Sequence, residues 1–267
     1  MHLLSNEILE NYNTDFEINF THDSTAIEGN TLTLRETKIL LEDKISVGSK
    51  DLREIYEVIN HEKAWNYAKT LIKKGKNLDK KIIKEIHRIL MENIMDGGKY
   101  RDTNVKITGA EHSPPNPFIT KIELNEFFKT LKNNDFNEIT LSAYTHAEFI
   151  RIHPFSNGNG RVSRIIMNYQ LVKNDFLPIS IKTKDKIQYY YALEEYGTKK
   201  NLNPFIEMIS KLEEEQLDFY INAIELLVKW KKVECSPWSS YRIITHYNTY
   251  YQDLMEQNME KEENKEI

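Results

Sequence analysis

The consecutive residues His153-Pro154-Phe155-Ser156-Asn157-Gly158-Asn159-Gly160-Arg161-Val162-Ser163-Arg164 concentrate the groups that phosphate chemistry needs. Two glycines around Asn159 let the backbone turn tightly and present its N–H groups, and a helix starting there opens with unpaired donors and the positive end of its dipole. That combination binds anions. Arg161 and Arg164 stand three residues apart, so both lie on one face of the first turns and can take a polyphosphate through bidentate hydrogen bonds. His153, just ahead of the turn, is placed to accept a proton from a hydroxyl that attacks a phosphate held there. Each part alone has an ordinary explanation: Gly-Asn-Gly turns join many helices, helical arginines are usually solvated, and a lone His is more often structural. Their conjunction points to nucleotide chemistry. His146 and His153 lack the Cys or acidic companions of a zinc site.

Helices must position these groups. Leu52, Ile55, Ile59, Trp65, Ala68 and Ile72 recur at helical spacing, and Ile82, Ile83, Ile86, Ile89, Leu90 and Ile94 do so again until Gly97-Gly98. Capping-box spacing at Thr33/Glu36 and at Thr120/Glu123 predicts two more helix starts. Apolar periodicity predicts helices from about 138 to 152 and from 161 to 173, with the Gly158-Asn159-Gly160 break between them. Asn203-Pro204 starts a long helix that runs to about Trp230. Only Asn104-Val105-Lys106-Ile107-Thr108, followed by Gly109 and the Pro-rich 113–117 stretch, reads as extended, which predicts a short β-hairpin flap. After Cys235-Ser236-Pro237 the chain turns aromatic and polar, and residues 256–267 form a charged run expected to fray.

The chain has 267 residues, with 36 basic and 41 acidic side chains for a net charge of −5. Such a length buries a full core. The lone Cys235 cannot close an internal disulfide and no signal-like segment opens the sequence, so a reducing, cytoplasmic setting is expected. No apolar run approaches the ~20 residues of a bilayer span, and no polybasic block supports binding to duplex phosphates. Neither a membrane nor a nucleic acid is expected as a partner. Oligomeric state is left open, a homodimer included.

The segment 153–164 resembles the signature of Fic proteins (filamentation induced by cyclic AMP), HPFx(D/E)GNGRxxR, at every position except Asn157. Gly98-Lys99-Tyr100-Arg101 with the 105–115 stretch is similar to the family's target-docking flap, including Val105, Ile107 and Thr108. Tyr189-Tyr190-Tyr191-Ala192-Leu193 is similar to its adenine-side helix. Ser24-Thr25-Ala26-Ile27-Glu28-Gly29-Asn30 is similar to the (S/T)xxxE(G/N) inhibitory motif, whose N-terminal position suggests class II. The resemblance implies an all-α Fic fold, a compact helical bundle with the short flap. It divides the chain into an N-terminal region with the inhibitory helix (1–45), a catalytic core (46–232) and a C-terminal helical extension with a frayed tail (233–267).

By the same resemblance the protein is an adenylyltransferase that moves AMP from ATP to a Ser, Thr or Tyr hydroxyl of a target protein and can modify itself. His153 would be the general base and Phe155 the anchor of the loop. Gly158, Asn159 and Gly160 would hold the inner phosphates, Arg161 and Arg164 the outer ones, and Tyr189 and Tyr190 the nucleoside side. Glu28, helped by Ser24, would pair with Arg164 and obstruct ATP. Mg²⁺ is implied at position 157, where an Asn offers one neutral oxygen in place of a carboxylate, so weakened metal binding is expected. Gly197 departs too, where many relatives place a polar residue against the adenine. Two other readings compete: removal of AMP with Glu28 orienting a water, and a nucleotide-binding module without turnover.

Overall fold

A computed structural model describes residues 6–46 and 48–231. Among them every regular element is helical, in the order α1 (Asn6–Ile27), α2 (Leu34–Lys38), α3 (Leu52–Lys73), α4 (Lys80–Leu90), α5 (Pro117–Lys132), α6 (Glu138–Ile152), α7 (Asn159–Lys173), α8 (Lys186–Lys199) and α9 (Asn203–Lys231). A single π-type turn at Ile39–Asp43 extends α2. Cys235, the extension from 233 and the charged end at 256–267 lie outside the described residues.

The sequence signals account for several boundaries directly. Thr33 and Glu36 form the predicted capping box: the Thr33 side chain accepts from Glu36 N–H and the Glu36 carboxylate accepts from Thr33 N–H at 2.8 Å. Asp79 caps α4 by accepting from Ile82 N–H at 2.8 Å, and Asn137 caps α6 by accepting from Thr140 N–H. Three expectations need correction. The helix expected at Thr120 starts earlier, because Asn116 accepts from the N–H groups of Phe118 and Ile119 and Pro117 fills the first turn, leaving Thr120 buried inside α5. The helix expected to reach Ile94 ends at Leu90, where the Asn60 side chain donates to the carbonyls of Leu90 (3.3 Å) and Glu92 (2.6 Å) and takes over the chain end. No strand forms among the described residues, so the β-hairpin is absent. The flap holds one turn bond, Ala110 N–H to Ile107 O at 3.2 Å, and its returning limb carries prolines 114, 115 and 117, which have no N–H for a ladder.

α7 is the helix around which the others are built. It is buried on all sides from Arg161 to Gln170, as expected of a helix enclosed by neighbours, and it packs against α3, α4 and α6, while α6 also meets α5 and α8. Ile83, Ile86, Leu90, Phe149, Ile152, Phe155, Ile165 and Ile166 fill the core between them. Each such side chain stabilises the fold by roughly 1.5–3 kcal/mol through burial. Asn13–Asp218 forms one compact unit, and the described residues 6–12 and 219–231 belong to another. The site described below lies wholly in the first. Among the described residues no helix is long and apolar enough to cross a membrane.

Candidate active site

α6 ends in a left-handed residue, His153 (φ 50°, ψ 60°), which swings the chain out of the helix. Its Nδ1 faces the Ile150 carbonyl at 3.3 Å, so Nδ1 carries the proton and Nε2 keeps its lone pair. Burial pushes the His153 pKa down to about 4, against a smaller upward pull from the Ile150 bond. The imidazole is therefore neutral near pH 7 and able to take a proton.

The loop after it braces itself. Phe155 is fully buried, and the Asn159 side chain closes the turn by accepting from Phe155 N–H (2.9 Å) and donating to Phe155 O (2.8 Å). Only the Asn159 backbone is left to face an anion. Gly158 then caps α7 in the left-handed region (φ 74°). At Gly160 the need for glycine is steric: a Cβ there would lie 2.1 Å from Glu28 Oε1. The Glu28 carboxylate thus sits directly against the N-terminus of α7.

Two guanidinium groups follow. Arg164 is 1% exposed and every one of its nitrogens is bonded: Nε donates to Ser24 Oγ (2.9 Å), Nη2 to Ser24 O (2.7 Å) and Glu28 Oε1 (2.8 Å), and Nη1 to Tyr189 OH (3.3 Å). Burial alone would raise the Glu28 carboxyl, yet the adjacent Arg164 charge overrides it and holds the group below the usual carboxylate range. Arg161 is equally buried, but its Nη2 reaches Asn157 Oδ1 only at 3.3 Å, its Nη1 stands 3.5 Å from Glu57 Oε1, and neither Nε nor Nη1 has a hydrogen-bond partner.

The sequence-predicted residues His153, Gly158, Gly160, Arg164, Tyr189, Ser24 and Glu28 therefore converge. Tyr190 sits beside Tyr189 on α8, half-exposed, with its ring 5.5 Å from Lys186 Nζ. Val105, Ile107 and Thr108 lie farther out on the flap, whose ends Arg101 gathers: it donates to Thr103 O (2.9 Å), Pro115 O, Thr120 Oγ (2.9 Å) and His153 O (2.8 Å). His112 joins the flap to the body through Arg151 O (2.9 Å), and its side chain occupies the space beside Gly197, 2.9 Å from where a Cβ would stand.

Sequence reasoning missed the support of this cluster. Glu57 of α3 accepts from Asn30 Nδ2 (3.2 Å) and Arg53 Nε (3.3 Å) beside Arg161. His146 bonds through Nε2 with Ser163 Oγ (3.1 Å) and Tyr189 OH (3.0 Å), orienting both against α7. His87 links Gly98 to Asn157. For His146 the signal was its place as a polar residue on an apolar helical face, which the zinc-ligand reading did not use. The partners of His87 are backbone groups, which leave no side-chain pattern.

An all-helical domain with a glycine-bounded turn leading into a buried central helix is thus on hand, and comparison with known proteins finds its relatives. Residues 77–171 match the Fic/DOC family. The protein adenylyltransferase Fic of Nematostella vectensis is 34% identical over 206 residues, 75% of this chain and 48% of that protein, and the Aedes aegypti protein of the same name is 31% identical over 223 residues, 81% of this chain and 44% of that one. A Fic-domain signaling protein from Bacteroides thetaiotaomicron superposes with a TM-score of 0.75 at 26% identity, covering 83% of this chain and 91% of the other. Fic-1 of C. elegans gives 0.76, also at 26% identity, over 84% and 68%. Residues 77–171 are thus a Fic/DOC family domain. The chain spans about half the length of the curated relatives it matches.

Proposed function

We propose that the protein is an autoinhibited adenylyltransferase that transfers AMP from ATP to a hydroxyl side chain of a target protein. The activity named for its relatives supports the reaction class, and the neutral His153 with a free Nε2 supports the base. In the transfer, the target oxygen bonds to the α-phosphorus, the bond from that phosphorus to the bridging oxygen breaks, pyrophosphate leaves, and His153 Nε2 takes the hydroxyl proton. Backbone N–H groups at the start of α7 bind the inner phosphates, and Arg161, with donors to spare, takes phosphate oxygen in a charge-assisted bond.

The observation that carries the autoinhibited form is Glu28 Oε1, which lies 2.8 Å from Arg164 Nη2 and against Gly160. A carboxylate there takes the place of an outer phosphate, so α1 must yield before ATP seats productively. The chain's own residues do not fit a metal centre: Asn157 Oδ1 already faces the Arg161 guanidinium, and among the described residues no three His, Cys, Asp or Glu side chains gather around a common point.

Incubation of wild type, Glu28→Gly and His153→Ala with α-labelled ATP and a native lysate tests this. Strong labelling by Glu28→Gly, weak labelling by wild type and none by His153→Ala are expected. Equal labelling by all three overturns it, and loss of pre-installed label in the presence of Glu28 assigns removal instead.

A further inference from the structure

Two backbone segments far apart in sequence meet on one imidazole. His87 lies on the buried face of α4, 1% exposed, with its ring parallel to Phe155 at 3.7 Å between centroids and 1° between planes. The Gly98 N–H donates to Nδ1 at 2.8 Å, and Nε2 faces the Asn157 carbonyl oxygen at 3.1 Å. An amide N–H can only donate, so Nδ1 must offer its lone pair; a carbonyl can only accept, so Nε2 must carry the proton. One neutral tautomer alone satisfies both neighbours. Both neighbours matter to the site. Gly98 opens the run to Arg101, which holds His153 O and the two ends of the flap. Asn157 precedes Gly158, the left-handed cap of α7. Because C=O and N–H point opposite ways across a trans peptide, fixing the Asn157 carbonyl also fixes the Gly158 N–H.

We propose that His87 is a positioning residue of the transfer reaction: it aims the 157–158 peptide plane, and with it the first donor of the phosphate site, and ties that plane to the foot of the flap. The proposal rests on the adenylyltransferase reading for its kinetics and on geometry for the rest. Stacking on Phe155 is separable from the two hydrogen bonds, because His87→Phe keeps an aromatic ring of similar shape while His87→Gln restores an N–H at the reach of Nε2.

The test uses the full chain. In ¹⁵N-histidine spectra between about pH 6 and 8, His87 should show the Nε2–H tautomer; the opposite tautomer or an imidazolium overturns the proposal. In His87→Phe the Gly98 and Gly158 amides should exchange faster than in wild type while amides deep in α7 do not, and kcat should fall on the order of 10²-fold with a far smaller change in KM for ATP. His87→Gln should recover much of the lost turnover. Wild-type kcat in His87→Phe, or His87→Gln as slow as His87→Phe, contradicts it. If neither wild type nor Glu28→Gly transfers AMP, the adenylyltransferase reading fails, while the tautomer and the Gly98 and Gly158 exchange rates still decide the role of His87.

Discussion

Arg161 and Arg164 share a helix, a face and near-complete burial, yet they are held in opposite ways. Arg164 spends its donors on Ser24, Glu28 and Tyr189, and the Tyr189 and Glu28 oxygens outweigh burial so that its pKa is raised. Arg161 has two guanidinium nitrogens without hydrogen-bond partners, and burial, only partly offset by Glu57 and Glu28, lowers its pKa. Leaving a buried donor unpaired costs about 1–3 kcal/mol, more for a charged group, so the fold carries Arg161 at a cost that an arriving anion would remove. Arg164 has an internal substitute for that anion. Under the proposed function the pair would form one half-open and one closed phosphate subsite, the second closed by Glu28 in the turn that follows α1.

The largest expected effect leaves both guanidiniums in place. His153→Ala should lower transfer 10²–10⁴-fold with little change in ATP affinity, read by calorimetry beside turnover. Comparable labelling by variant and wild type would remove His153 as the base. With a pKa pushed down to about 4 by burial, His153 loses its free base only as pH falls through about 4, so the acid limb of kcat should lie there and not near 6.5.

Breaking the two subsites separately should give unequal losses. In a Glu28→Gly background, Arg161→Ala should weaken ATP and ADP alike by about 1.5–3 kcal/mol, the worth of a charge-assisted bond, whereas Arg164→Ala should weaken ATP more than ADP. Equal penalties on both nucleotides from both variants would erase the distinction.

A smaller effect comes from a buried acid with no cation beside it. Glu213 accepts from Leu177 N–H at 2.8 Å, and burial pushes its pKa up to about 8, the reverse of Glu28 next to Arg164. An acid whose folded pKa is raised is stabilising below its unfolded pKa near 4.5 and loses that contribution as pH rises toward 8. Glu213→Gln keeps the acceptor and should raise the melting temperature by a few degrees at pH 8 and leave it unchanged near pH 4. An equal shift at both values would rule out titration as the cause.

Much of this was legible in the sequence because side chains wrote it. Apolar spacing marked α3, α6 and α9, and the types in 153–164 marked the site. What stayed hidden depends on backbone partners or on competition between signals. Asn116-Pro117 outranks Thr120-Glu123 as a helix start because an Asx side chain caps two N–H groups at once and proline suits the first turn. The alternation at Val105 and Ile107 looks strand-like, but a strand needs a ladder; prolines 114, 115 and 117 on the return limb have no N–H, and the His112 N–H is spent on Glu194. His87 sits on the same stripe as Ile83, Ile86 and Leu90 and so reads as core, although its ring nitrogens serve two loops.

Autoinhibition requires that Glu28 compete with a phosphate for Arg164. Calorimetric titration of ATP and ADP into wild type and Glu28→Gly measures it, because a two-state competitor changes affinity only for the ligand group it displaces. Removing the carboxylate should tighten ATP on the order of tenfold and ADP by clearly less. Identical ATP affinities, with the same ATP-to-ADP ratio in both proteins, would contradict it and return the 2.8 Å contact between Glu28 and Arg164 to a purely structural role.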